Sequence, residues 1–133
     1  MINAFRTALP FVLTALLAAP CLAAENQSGS QRQQYVYVLK LTPRMQEASA
    51  WTDTENGVIG RHFARLAKAT DTGQVILAGR TTEALDKTFG LVIFEAESGE
   101  AARLFMESDP AVEANIMSAT LRPYSIALYR KIR

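Results

Sequence analysis

A single cysteine, a single histidine and a single tryptophan occur in the 133 residues of this chain. The cysteine, Cys21, lies in a leading segment whose removal would leave no thiol. A disulfide, a thiol nucleophile and a thiolate metal site would then all be excluded. One histidine also argues against zinc. Charge of one sign is missing too: without residues 1–24 the chain loses only Arg6, leaving 13 basic against 13 acidic residues. A balanced chain has no electrostatic basis for binding nucleic acid or an anionic membrane. Only Arg130-Lys131-Ile132-Arg133 clusters, and it reads as a solvated terminus. No apolar run reaches the ~20 residues of a membrane-spanning helix. There is no glycine-rich dinucleotide motif, so no cofactor is expected. No internal repeat and no recognisable serine-nucleophile motif are present.

The chain does hold 49% hydrophobic and 20% charged residues, the balance of one globular domain. Its first 24 residues differ in character. Arg6 precedes an apolar stretch from Ala8 to Ala19, and Pro20-Cys21-Leu22-Ala23-Ala24 follows with small residues. This is the order of a secretory signal peptide, with cleavage expected after Ala23 or Ala24. Pro20 before Cys21 does not suit lipidation. The expected destination is the periplasm or the exterior, with no stable membrane anchor after cleavage. Residues 25–34 are polar and read as a flexible spacer, leaving residues 35–133 as the domain.

Within the domain, hydrophobic periodicity predicts the elements in turn. Tyr35–Leu41 is a strand rich in β-branched and aromatic residues. Arg44–Ala50 is a short helix and Trp51–Asn56 a loop. A helix follows from Glu55 to Ala69, ended by Gly73. Gln74–Ala78 and Gly90–Glu95 are strands. Ser98 caps a second helix that carries Ala101, Ala102, Leu104 and Phe105 inward. Asp109-Pro110 restarts a helical turn through Ile116, and a last strand runs from Thr120 to Tyr129, bent early by Pro123.

The order β-α-β-β-α-β predicts an α+β, ferredoxin-like fold: an antiparallel four-stranded sheet with two helices on one face. Val36–Leu39, Val75–Ala78 and Leu91–Phe94 are continuously apolar, which calls for cover on both sheet faces. Two helices cover one face. A second copy of the chain would cover the other, so a homodimer is expected, with longer loops as the monomeric alternative.

The candidate site rests on His62. Ile59, His62, Phe63, Leu66 and Ala67 recur at offsets of three and four, so the imidazole shares the apolar face of the first helix. Imidazole can both give and take protons near neutrality. Asp109, after the second helix, is its candidate partner, and a carboxylate in reach would set the ring tautomer. An ordinary core histidine and an ordinary helix-capping aspartate are the plain alternatives. Arg61 and Arg80 are candidate anion-binding residues, and Tyr37, with Tyr35 and Trp51, a candidate cavity-lining residue.

Three segments carry a resemblance. Gly60-Arg61-His62-Phe63-Ala64-Arg65-Leu66, Gly73-Gln74-Val75-Ile76-Leu77-Ala78-Gly79 and Ser108-Asp109-Pro110-Ala111-Val112-Glu113-Ala114 are similar, in order and spacing, to the YCII-related domain family, over about Tyr35–Tyr129. The resemblance implies a dimeric α+β barrel with a His–Asp site at His62 and Asp109. Ala111 and Asn115 stand where family members often have an aromatic residue and a glycine. A few members are similar to lactone-processing or dehalogenating enzymes, and most have no assigned reaction. Two function classes follow. One is an exported enzyme of lyase or isomerase type acting on a small organic molecule, such as a lactone or a carboxylated aromatic-derived compound. The other is a non-catalytic periplasmic module that binds a small molecule.

Overall fold

The computed structural model describes residues 32–130. The segment read as a signal peptide, and most of the spacer, lie outside them. The described chain forms four strands, β1 (Gln33–Leu41), β2 (Val75–Arg80), β3 (Phe89–Ala96) and β4 (Met117–Pro123), and three helices, α1 (Asp53–Asp71), α2 (Gly99–Glu107) and α3 (Pro110–Glu113). The strands make one sheet in the order β2-β3-β1-β4, with every neighbouring pair antiparallel. This is the expected ferredoxin-like α+β fold.

Strand alternation divides the sheet. Tyr35, Tyr37, Leu39, Val92 and Phe94 face the helices and are buried with Leu66, Ala69, Ala102 and Met106. Phe94 anchors this core: its ring stacks on Phe105 at 4.7 Å and meets the edge of Tyr37 at 5.6 Å. A second, smaller cluster of Leu41, Met45, Val58 and Ile116 closes the end of the fold near the start of α1.

Several element boundaries differ from expectation, each for a local reason. β1 begins at Gln33, inside the stretch read as spacer, because Gln33 and Gln34 pair with Ala96 and Glu95. Residues 44–50 form two 3-10 turns, Pro43–Gln46 and Ala48–Ala50, in place of one helix. α1 starts two residues early and absorbs much of the expected loop. The Thr52 side chain accepts from Thr54 N–H, and its hydroxyl bonds the Glu55 carboxylate, which also holds Arg44. Those two bonds keep the Glu55 carboxyl down at about 2. Of the residues expected inward on α2, Ala101, Ala102 and Phe105 pack on the core together with Met106, whereas Leu104 is 61% exposed.

β4 runs three residues earlier than predicted and stops at Pro123, opposite Tyr35; Tyr129 is not in a strand. Pro123 has no N–H to extend a ladder. Beyond it, the Tyr124 N–H still donates to the Gln34 carbonyl and the Ile126 N–H to the Gln34 side chain.

Two backbone positions need left-handed geometry. Gly73 ends α1 at φ +80°, and Asn115 follows α3 at φ +53°. Asparagine is the side chain that best tolerates this region after glycine. Asn115 therefore keeps the chain turn that a glycine would give.

Candidate active site

The geometry is built on Asp109. Pro110 sets the first turn of α3, and Asp109 caps it by accepting the Ala111 N–H at 2.9 Å. The capping position holds the carboxylate under α1, where it has no exposure to solvent. There it accepts two further bonds. Tyr37, rising from the centre of β1, donates its hydroxyl at 3.0 Å. His62, on the third turn of α1, places Nδ1 at 2.7 and 2.9 Å from the two carboxylate oxygens.

Burial opposes the charge on Asp109, but the His62 bond and charge, the Ala111 N–H and the Tyr37 hydroxyl outweigh it. The carboxyl is held below its ordinary value. Tyr37 moves the other way: burial, with the negative charge of Asp109 and the bond to it, pushes its phenol above the usual tyrosine range. Ionised carboxylate and protonated phenol are the pairing that this bond requires. An ionised carboxylate only accepts, so His62 Nδ1 carries the hydrogen between them. In the neutral imidazole that leaves Nε2 with its lone pair free to act as a base.

Arg65, one turn beyond His62, completes the cluster. Its guanidinium lies 4.2 Å above the Phe105 ring and donates to the Phe105 carbonyl at 2.6 Å and the Ser108 hydroxyl at 2.9 Å. Both bonds come from Nη2; the other terminal nitrogen, Nη1, is 3.9 Å from Asp109 Oδ2. It is the one buried side-chain polar atom without a hydrogen bond among the described residues. Arg65 thus adds positive charge behind the carboxylate.

A groove of about 880 Å³ runs between α1 and the sheet beside β2. His62 lines it, so the imidazole joins the buried carboxylate to the open space. The α1 stripe of Ile59, His62, Phe63, Leu66 and Ala67 forms one wall. The remaining walls include Leu39, Leu41, Trp51, Leu77, Leu85 and Phe89. Trp51 is pinned there by its indole N–H, which donates to the Met45 carbonyl at 3.0 Å. Of the stripe, only Leu66 is buried, and Phe63 is 72% exposed. The apolar face of α1 at His62 is therefore the wall of a cleft rather than core.

The structure brings His62, Asp109 and Tyr37 together and separates the two arginines. Tyr37 does not line the groove: alternation on β1 turns it into the core, where its hydroxyl reaches Asp109. Arg80 stands on the groove wall at the end of β2. Arg61 does not: it is exposed, beside the stripe, and bonds the Gly57 carbonyl of its own helix. Arg65 was missed in the sequence. The signal for it was its position three residues after His62, on the same helical face. Among the described residues no group of three or more His, Cys, Asp and Glu side chains gathers for a metal, and no helix is long and apolar enough to cross a membrane.

One solved structure similar to the chain is 5-chloro-2-hydroxyhydroquinone dehydrochlorinase from Burkholderia phenoliruptrix AC1100, in complex with 2,5-dihydroxybenzoquinone. It is 21% identical, at a TM-score of 0.47, over 69% of this chain and 93% of that one. No curated protein matches the sequence. The model of the YCII-related domain matches residues 34–123, from β1 to the end of β4 and through both His62 and Asp109, and the chain belongs to that family.

Proposed function

We propose that His62 and Asp109 are an acid/base pair that moves a proton on a small organic molecule bound in the groove, in a reaction of lyase or isomerase type. One observation carries the reading. A single imidazole touches a buried carboxylate on one side and lines an open apolar cleft on the other. Asp109 fixes the tautomer, and His62 takes a proton from a substrate carbon and returns it at another position or to a leaving group. The Tyr37 hydroxyl holds Asp109 in place. A lactone or a carboxylated aromatic-derived compound suits the apolar walls, and Arg80 can meet a carboxylate at the rim.

Deuterium wash-in tests this without prior choice of reaction. A panel of lactones and aromatic acids is incubated with the protein in D₂O and followed by NMR. The wild type is expected to exchange a substrate C–H position, and His62→Gln to lose about 10²–10⁴-fold of that rate. Binding with no exchange in the wild type would instead make the protein a non-catalytic binding module.

Export and self-association belong to the same reading. The leading segment is removed, and the mature protein acts in the periplasm or outside the cell. The mass of exported protein is expected to correspond to a chain beginning at Ala24 or Glu25, and an intact Met1 would overturn this. The sheet face opposite the helices carries Val36, Val38, Leu91 and Ile93 by strand alternation, and all but Val36 retain exposure. A second copy covers it, burying on the order of 1,200 Å² or more in total. Light scattering at micromolar concentration is expected to give twice the chain mass; a compact monomer would reject the dimer.

A further inference from the structure

We infer that the groove takes an amphipathic anion with an extended apolar body, an acyl chain or fused rings, rather than a single small ring. The inference rests on the acid/base reading only for His62 being the reacting end. Size is the first argument. At about 880 Å³ the groove stands near the top of the ~300–1,000 Å³ range of sites for drug-sized ligands. Its α1 wall runs from Ile59 to Asp71, about 18 Å at the helical rise.

Polarity along the groove is the second argument. α1 ends at Asp71, the chain turns at Gly73, and β2 returns along α1 from Val75 to Arg80. Asp71 therefore stands at the end where β2 begins. Arg80 lies five residues further along β2, about 16 Å away toward the His62 end. Arg80 forms no ion pair among the described residues. The cation and the reactive imidazole thus share one end of the cleft, and the carboxylate of Asp71 marks the other. An anionic head is favoured beside Arg80 and disfavoured beside Asp71. Between them lie Phe63, Leu66, Ala67 and Leu77, which offer an apolar body contact and no hydrogen bond.

Trp51, the single tryptophan, lines the groove and reports on its occupant. The purified protein is titrated by intrinsic fluorescence with butanoate, hexanoate, octanoate and decanoate, below their micelle concentrations, and with benzoate and 2-naphthoate. Kd is expected to fall about two- to fourfold per added methylene, and 2-naphthoate to bind at least tenfold more tightly than benzoate. Ala67→Asp, at an exposed position of the α1 wall, is expected to flatten the chain-length dependence. Arg80→Gln is expected to weaken every carboxylate by a similar factor and leave that dependence unchanged. His62→Gln is expected to lose deuterium wash-in while the chain-length dependence of Kd keeps its slope, whatever the change in absolute affinity, which separates this inference from the acid/base reading. A flat series, or equal binding of benzoate and 2-naphthoate, would overturn the extended ligand and leave the His62 exchange result standing. A flat series together with a Phe63→Asp variant of halved solution mass would show that a second copy fills the groove, and would overturn it equally.

Discussion

Asp109→Ala is expected to destabilise the folded protein by about 3–5 kcal/mol, the range for breaking a buried ionic pair from one side. The carboxylate has no exposure and accepts from the Tyr37 hydroxyl, the Ala111 N–H and the His62 ring. Alanine leaves those donors facing a void, removes the cap of α3, and takes away the charge nearest to Arg65. Urea denaturation should show the loss as a lower midpoint at unchanged slope; a shift below 1 kcal/mol would mean that water replaces the carboxylate freely.

Asp109→Asn makes the complementary case. The amide keeps an oxygen for the Ala111 N–H but presents an NH₂ group to two other donors, so His62 relieves the conflict by moving its hydrogen to Nε2. The fold then survives with a smaller loss while proton transfer fails. The pH dependence carries the same signature. The Asp109 carboxyl is lowered in the folded state, so its contribution is fully present above the unfolded value of about 3.9. It is lost as pH falls through the lower folded value. Wild-type stability is expected to decline below about pH 4 with a proton-uptake component that Asp109→Asn lacks.

Phe94→Ala is expected to cost about 3–5 kcal/mol, as large aromatic truncations in packed cores do. Phe94 is fully buried, and its ring contacts those of Tyr35, Tyr37 and Phe105. Its removal opens a cavity beside Tyr37, so the support under Asp109 loosens along with the core. Phe63→Ala is the control. That ring is 72% exposed on the groove wall, and its truncation should change stability by about 0.5 kcal/mol or less. Denaturation midpoints of the two variants check the contrast; equal losses would contradict the burial pattern.

Which aromatic residues hold the fold and which line the groove was not legible in the sequence. Tyr37 and Trp51 both looked like cavity residues. Burial separates them: Tyr37 is fully enclosed with its hydroxyl on Asp109, and Trp51 stays on the groove wall. Arg61 and Arg65 lie four positions apart on α1, yet one bonds its own helix and the other backs the carboxylate. The three-residue offset from His62 puts Arg65 on the site's face of the helix, but what it contacts there comes from where α2 and α3 dock.

What the sequence by itself determined was local. Apolar runs defined β1, β2 and β3, the 3.6-residue stripe defined α1, and Ser98 and Asp109-Pro110 marked the helix starts, since these signals act through backbone preferences within a few residues. The β-α-β-β-α-β order then left the ferredoxin-like sheet as its natural closure. Ends set by pairing were outside its reach: β1 begins at Gln33 because Gln33 and Gln34 pair with Ala96 and Glu95 of β3. Only the tertiary structure decided that the stripe of α1 lines a cleft, that Tyr37 and Arg65 converge on Asp109, and that His62 lies 2.7 Å from a carboxylate 47 residues away. Contacts at such separations follow from the packing of helices on a common sheet face, which no short window of sequence contains.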